Sequence, residues 1–130
     1  MAEVGLETIR TRVHDDRSRI VDLLRDKIAL ASVSAKGITG DHMRRSADYV
    51  AGQLRQVGVD ARVVQATNPD GTLGAFEVIG SRQVDANAPT VLLYAHHDVQ
   101  PVPDPSQWST DPFTGVEKDC LLYTSDAADE

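Results

Sequence analysis

The sequence is short of cysteine, positive charge and long apolar runs, and each shortage excludes a class of protein. Cys120 is the single cysteine among 130 residues, so the chain has no disulfide framework, which favours a reducing compartment. Lys and Arg number 13 against 20 Asp and Glu, for a net charge of −7, which argues against nucleic-acid and anionic-membrane partners. We see no membrane span and no signal peptide. The cytoplasm is the predicted location.

Apolar periodicity predicts an α/β domain in which helices precede strands. A hydrophobic content of 41% and a charged content of 25% are typical of one globular domain. Apolar residues at helical spacing predict a helix within 6–31 and a second helix over 41–57, which Gly58 ends in a left-handed cap. Short apolar or alternating runs then predict strands at 59–63, 75–79 and 91–94. The expected fold is two helices followed by a mixed sheet, with the last two strands adjacent.

The stretch 91–101 carries the strongest signal of chemistry. Residues 91–94 are apolar and uncharged, which is typical of a strand buried on both faces. His96, His97 and Asp98 follow at the carboxyl end of this strand, where α/β sheets bind ligands. Alternation in an extended chain places His96 and Asp98 on one side, so that His96 can bind a metal while Asp98 orients its imidazole. The alternative is that the polar residues only cap a strand.

The same stretch resembles the first metal motif of the dinuclear zinc aminopeptidase and deacylase family. The resemblance rests on Leu-Leu-Tyr-Ala-His-His-Asp-Val-Gln-Pro at 92–101 and Gln-Trp-Ser-Thr-Asp-Pro-Phe at 107–113. The family includes acetylornithine deacetylase, succinyl-diaminopimelate desuccinylase, aminoacylase and several dipeptidases, and Asp-Val-Gln-Pro is most similar to the dipeptidase branch. Where this chain has Ala95 and His97, the family usually has Gly and often has Tyr or Thr. The resemblance implies that residues 1–119 are the N-terminal part of a zinc-peptidase-like catalytic domain, which is truncated here.

The resemblance also implies an activity for the parent protein, which is metal-dependent hydrolysis of amide bonds in dipeptides. His96 would ligate one of two Zn²⁺ ions, and Asp98 would fix the orientation of the His96 imidazole and raise its basicity. Co²⁺ or Mn²⁺ would also suit such ligands. The substrate would be a small peptide or an N-acyl amino acid, and a homodimeric parent is compatible with the family. Two alternatives stay open: an N-acyl-amino-acid deacylase of the same family, and a non-enzymatic α/β binding or regulatory module.

The last residues, 120–130, match the family motif only in part. At this point the family has a glycine-rich segment ending in Ala-Ala-Asp-Asp, whose first Asp bridges the two metals. Here Leu122, Tyr123 and the Ala-Ala-Asp that ends at Asp129 match, but Cys120, Thr124 and Asp126 replace glycines. The tail also resembles, codon by codon, a translated transposase-type sequencing adapter. We therefore interpret 120–130 as a non-native tail; if it were native, Asp129 would be the bridging ligand.

A chain that stops at this point would lack most of its site. The resemblance places the further carboxylate ligands, the general-base Glu and the final His ligand beyond residue 130. One His and one Asp cannot complete a catalytic zinc site, which needs at least three protein ligands. We therefore expect the 130-residue chain to bind metal weakly and to have no hydrolase activity.

Overall fold

A computed structural model describes residues 5–119 and 121–124 of the chain. The helices are α1 (Leu6–Asp15), α2 (Arg17–Ile28) and α3 (Asp41–Gln56), and the strands are β1 (Asp60–Thr67), β2 (Leu73–Ser81), β3 (Val116–Lys118) and β4 (Leu121–Tyr123). Short 3-10 helices lie at Ser34–Lys36 and Pro105–Gln107. The predicted α/β class, with helices before strands, is confirmed. None of the described helices is long and apolar enough to cross a membrane.

The first predicted helix divides into α1 and α2 at Asp16. The backbone there departs only slightly from helix, with φ −83° and ψ 1°, and the Asp16 N–H still donates to the Arg12 carbonyl at 3.0 Å. The apolar stripe along both helices remains largely exposed, from 44% at Ile20 to 64% at Leu6. Among the described residues of α1 and α2, only Ile28, at the end of α2, is buried. The helical pattern is therefore present, but its apolar face packs against little.

Helix α3 packs against the β1–β2 hairpin and forms most of the core. Its buried residues are Met43, Ser46, Ala47 and Ala51, which recur at the spacing of one helix face. Gly58 ends the helix as predicted, with φ +80°. Its N–H donates to the Arg55 carbonyl, and the Val59 N–H donates to the Leu54 carbonyl, both at 3.0 Å. These two bonds are those of a Schellman cap, which needs a left-handed residue.

The strands form two antiparallel pairs. β1 pairs with β2, with Asp60 opposite Ser81 and Val63 opposite Val78, so the prediction that the second strand pairs with a strand at 91–94 is wrong. A turn at 68–71 joins the two strands, with Gly71 at φ +84°. β3 pairs with β4 in a short second hairpin.

Residues 91–94 do not form the buried strand that the sequence predicts. They have no regular secondary structure, and Val91, Leu92, Leu93 and Tyr94 are 75%, 90%, 87% and 87% exposed. Apolar, β-prone residues form a strand only where a neighbouring strand accepts their backbone hydrogen bonds. Within the described ranges, both sheets have two strands and neither includes this segment.

Candidate functional site

A loop that carries His96, His97 and Asp98 follows the exposed segment and is anchored at its far end. The Val99 N–H donates to the Ser32 carbonyl at 3.0 Å, and Val33 and Val99 form an isolated parallel bridge. Ser32 and Val33 are each 1% exposed, so the loop is fastened to a buried part of the domain. The three polar residues are therefore held close to the segment that follows α2.

His96 and Asp98 form a pair within this loop. The His96 Nδ1 atom lies 3.1 Å from Asp98 Oδ1 and 3.1 Å from the Asp98 carbonyl oxygen. Both oxygens are acceptors, so Nδ1 carries the proton and Nε2 of the neutral ring keeps its lone pair. The two side chains are 41% and 38% exposed, which leaves Nε2 open to a ligand from solvent. The role of either residue in binding a metal stays a prediction.

Asp98 is ionised in this arrangement. Burial of the carboxyl group is the largest influence and pushes the pKa of Asp98 upward, but hydrogen bonds from the Ser34 hydroxyl and the His96 ring outweigh it. The pKa of Asp98 therefore lies below its usual value. At neutral pH the carboxylate accepts the Nδ1 proton of His96 and makes the imidazole a better donor of electrons to a cation.

His97 points into the domain instead. Its Nδ1 lies 2.9 Å from Ser46 Oγ in α3, and its Nε2 lies 2.9 Å from the Phe76 carbonyl in β2. Its own carbonyl oxygen lies within hydrogen-bond distance of the side chains of Lys27, Ser32 and Ser46. This role of His97 could not be predicted from the sequence, because no local pattern links His97 to partners 21 and 51 residues away.

Lys27, one of the charged residues of α2, also lies against this loop. Its ammonium is half-buried and lies 3.2 Å from Ser32 Oγ, 2.7 Å from Ser46 Oγ and 2.5 Å from the His97 carbonyl. Burial lowers the pKa of Lys27 to about 8, although the negative charge of Asp98 acts in the opposite direction. One of the charged residues of α2, Lys27, therefore faces the site.

The described residues contain no complete metal site. Across residues 5–119 and 121–124, no group of three or more His, Cys, Asp or Glu side chains could hold a metal ion. His96 with its orienting carboxylate fits one ligand of a zinc site, because such a site uses imidazoles whose second nitrogen donates to a carboxylate. Asp129, the other predicted ligand, lies outside the described residues.

A groove of about 560 Å³ lies beside the loop. Val33 and Lys36 line it together with residues of the proline-rich segment 101–113. Trp108 and Phe113 are half-buried and contribute aromatic surface to the lining. Because Val33 also bridges Val99, the groove adjoins the loop that carries His96.

Similar curated proteins come from bacteria, yeasts and mouse. The chain is 32% identical over 115 residues to a cysteinylglycine-S-conjugate dipeptidase of Corynebacterium striatum. It is 30% identical over 110 residues to an acetylornithine deacetylase of Photorhabdus laumondii and 29% identical over 117 residues to a Cys-Gly metallodipeptidase of Schizosaccharomyces pombe. These matches cover 88%, 84% and 86% of this chain.

The chain belongs to the family of these dipeptidases and amino-acid deacylases. The predicted resemblance is thereby confirmed, and it extends well beyond the motif at 92–101. No family model matches the chain. The chain spans 24% to 27% of the length of these three relatives. Within the dipeptidase and deacylase family, it thus corresponds to about a quarter of a typical member.

Proposed function

We propose that a longer protein containing this chain hydrolyses amide bonds in dipeptides with the help of bound divalent metal. The observation that carries the proposal is the His96–Asp98 pair, which fixes the Nδ1 proton and leaves Nε2 open. The names of the relatives, which include a metallodipeptidase and a cysteinylglycine-S-conjugate dipeptidase, support the same reaction class. The substrate is then a small peptide.

In this proposal His96 is a metal ligand and Asp98 holds the ligand in place. The ionised carboxylate accepts the Nδ1 proton, prevents the ring from adopting the other tautomer, and strengthens Nε2 as a ligand. When bound, the metal supplies Lewis acidity toward the amide carbonyl and its attacking water. Two Zn²⁺ ions per complete site are the expected complement, with Co²⁺ or Mn²⁺ as alternatives.

In this proposal, the native part of the chain ends at residue 119. Residues 1–119 belong to the catalytic domain, and residues 120–130 are a non-native tail. The further ligands and the general base are then contributed by sequence that the 130-residue chain does not contain. If the tail is native instead, Asp129 is the carboxylate that bridges the two metals. Reading the gene through codon 119 decides the matter, because a glycine-rich Ala-Asp-Asp segment and a later Glu-Glu pair are expected there.

Deacylation of N-acyl amino acids is the second candidate function. It is favoured by the similarity to acetylornithine deacetylase and to a succinyl-diaminopimelate desuccinylase, which is 41% identical over 58 residues. Parallel assays of Cys-Gly, N-acetylornithine and N-succinyl-diaminopimelate on the longer protein separate the two reactions. A protein that hydrolyses none of them but still binds a ligand beside His96 would be the non-enzymatic module.

Metal binding by the 130-residue chain tests the role of His96 directly. We expect weak Zn²⁺ or Co²⁺ binding in calorimetry that His96→Ala abolishes, because one imidazole and one carboxylate form an incomplete site. His14→Ala is the matched control, since His14 lies on the exposed surface of α1. Binding that survives His96→Ala contradicts the role of His96 as a ligand. Dipeptide hydrolysis by the 130-residue chain above the level of this variant contradicts the expectation that this chain alone is inactive.

A further inference from the structure

We propose that Lys27, Ser32 and Ser46 are positioning residues that set the direction of His96 by fixing the backbone of its neighbour, His97. The effect on metal binding rests on the proposed function, but the effect on the His96 ring does not. The cluster includes two fully buried hydroxyls, whereas the side chains of the His96–Asp98 pair are partly exposed.

Three side chains converge on one carbonyl oxygen. The His97 oxygen lies 2.5 Å from Lys27 Nζ, 2.7 Å from Ser32 Oγ and 3.0 Å from Ser46 Oγ. These side chains belong to α2, to the segment after α2 and to α3, so three separate parts of the chain meet at this carbonyl. Ser32 and Ser46 are 1% and 0% exposed. Buried hydroxyls of this kind are costly unless they are hydrogen-bonded.

The protons of the cluster can be assigned from the chemistry of each group. The Phe76 carbonyl only accepts, so His97 Nε2 donates to it and Nδ1 of the neutral ring accepts from the Ser46 hydroxyl. Ser46 then has no second proton for the His97 oxygen, which the Ser32 hydroxyl and Lys27 supply.

The ammonium of Lys27 completes the cluster. It has three N–H donors, and three acceptors lie within reach: Ser32 Oγ, Ser46 Oγ and the His97 oxygen. Each donor therefore has an acceptor, and each buried hydroxyl both donates and accepts. A neutral side chain of similar shape at position 27 would leave all three acceptors without this donor.

The cluster sets the direction of the His96 side chain because both the ring and the backbone carbonyl of His97 are fixed. Its ring is held by α3 and β2, and its carbonyl is held by the cluster, so the peptide groups on either side of it have little freedom. The side chains of His96 and Asp98 make few contacts of their own: in the described part of the chain, His96 bonds to Asp98, and Asp98 bonds to Ser34. The direction of the exposed pair is thus inherited from the buried residue between them.

Long-range ¹H–¹⁵N spectra of the imidazole rings in the 130-residue chain test the proposal. In the unmodified chain we expect the Nε2–H tautomer at His97 and the Nδ1–H tautomer at His96. In Lys27→Met we expect His96 to lose its preference for Nδ1–H, because the loop no longer holds the ring against Asp98. Zn²⁺ affinity should fall about tenfold, the low end of the loss caused by removing groups that orient a metal ligand.

Two controls separate positioning from general stability. Lys118→Met makes the same change at an exposed lysine of β3 and should leave both rings and the affinity unchanged. Lys27→Cys in a Cys120→Ser background, alkylated with 2-bromoethylamine, restores an ammonium at the original reach and should restore the Nδ1–H tautomer. If Lys27→Met does not fold, Ser32→Ala removes one donor to the same carbonyl and should give a smaller change of the same kind.

The two readouts distinguish the possible failures. A Lys27→Met chain that folds and keeps the His96 tautomer overturns the positioning role, whatever its affinity for Zn²⁺. A chain that binds no Zn²⁺, but whose His96 ring responds to Lys27→Met and recovers on alkylation, supports positioning and counts against the metal-dependent function alone.

Discussion

At the scale of single residues, the ammonium of Lys27 is a group whose pKa is shifted strongly by the folded environment. Burial lowers its pKa from 10.5 to about 8, whereas in the unfolded chain the pKa returns to its ordinary value. Between these two pH values the unfolded chain binds more protons than the folded one. The free energy of unfolding therefore gains a contribution that rises with pH through this window and is lost as pH falls toward 8.

This pH dependence is tested by comparing the stability of two chains at two pH values. Relative to Lys27→Met, which cannot titrate at this position, the original chain should gain stability between pH 8 and pH 10. Urea denaturation of both chains at each pH measures the gain, and Lys118→Met serves as the exposed control. A difference between the original chain and Lys27→Met that does not change with pH would show that Lys27 titrates like a solvated lysine.

The contrast between His96 and Lys27 shows what sequence predicts at this scale. His96 and Asp98 are two residues apart, so their pairing follows from local geometry, and the structure brings them within 3.1 Å. Lys27 and His97 are 70 residues apart, and each looks like an ordinary polar residue in its own segment. Their contact depends on how α2 packs beside the loop, which no local pattern encodes.

At the scale of elements, the end of α3 is the feature that one residue determines most directly. Gly58 has φ +80°, and a Cβ at this position would meet the Arg82 guanidinium at 3.7 Å, an ordinary contact. Gly58→Ala is therefore opposed by backbone strain and not by a clash. We expect a loss of about 1 kcal/mol in the free energy of unfolding, measured by urea denaturation.

Gly52 provides the matched control, because it lies in the middle of the same helix and a Cβ there meets nothing within 4 Å. Gly52→Ala should stabilise the chain by up to about 1 kcal/mol, the difference in helix propensity between the two residues. Opposite signs for the two Gly→Ala changes are the expected result. If Gly58→Ala stabilises the chain as Gly52→Ala does, the cap does not depend on the left-handed conformation.

The same elements show where periodicity predicts well and where it does not. Helix α3 and its cap were predictable because a helix closes its own hydrogen bonds and needs only a favourable face and a stop signal. The first two strands were placed correctly, but their pairing was not, because alternation indicates a strand without indicating its neighbour. The strand at 91–94 was wrong for a related reason: its apolar residues need partners on both sides.

At the scale of the whole molecule, the exposed segment 91–94 is the largest departure from a stable domain. Its four side chains are 75% to 90% exposed, and the segment contains no charge and no proline. A segment of this kind with unpaired backbone can pair with the same segment of another chain. We expect the 130-residue chain to self-associate as its concentration rises, as measured by sedimentation velocity.

Leu93→Lys should reduce this association strongly, because a charge in the middle of the segment opposes stacking with a second copy. Val84→Lys is the control, since Val84 is also an exposed apolar residue, at 66%, but lies in a polar loop. An equal effect of both changes would mean that association follows total apolar surface and not this segment.

In a longer protein that covers residues 91–94 with neighbouring strands, the effect of Leu93→Lys has the opposite sign, because the substitution buries a charge in the sheet and destabilises the fold. The same substitution therefore improves the behaviour of the 130-residue chain and harms that of the longer protein, and measuring it in both tests whether 91–94 is a core strand that has lost its neighbours.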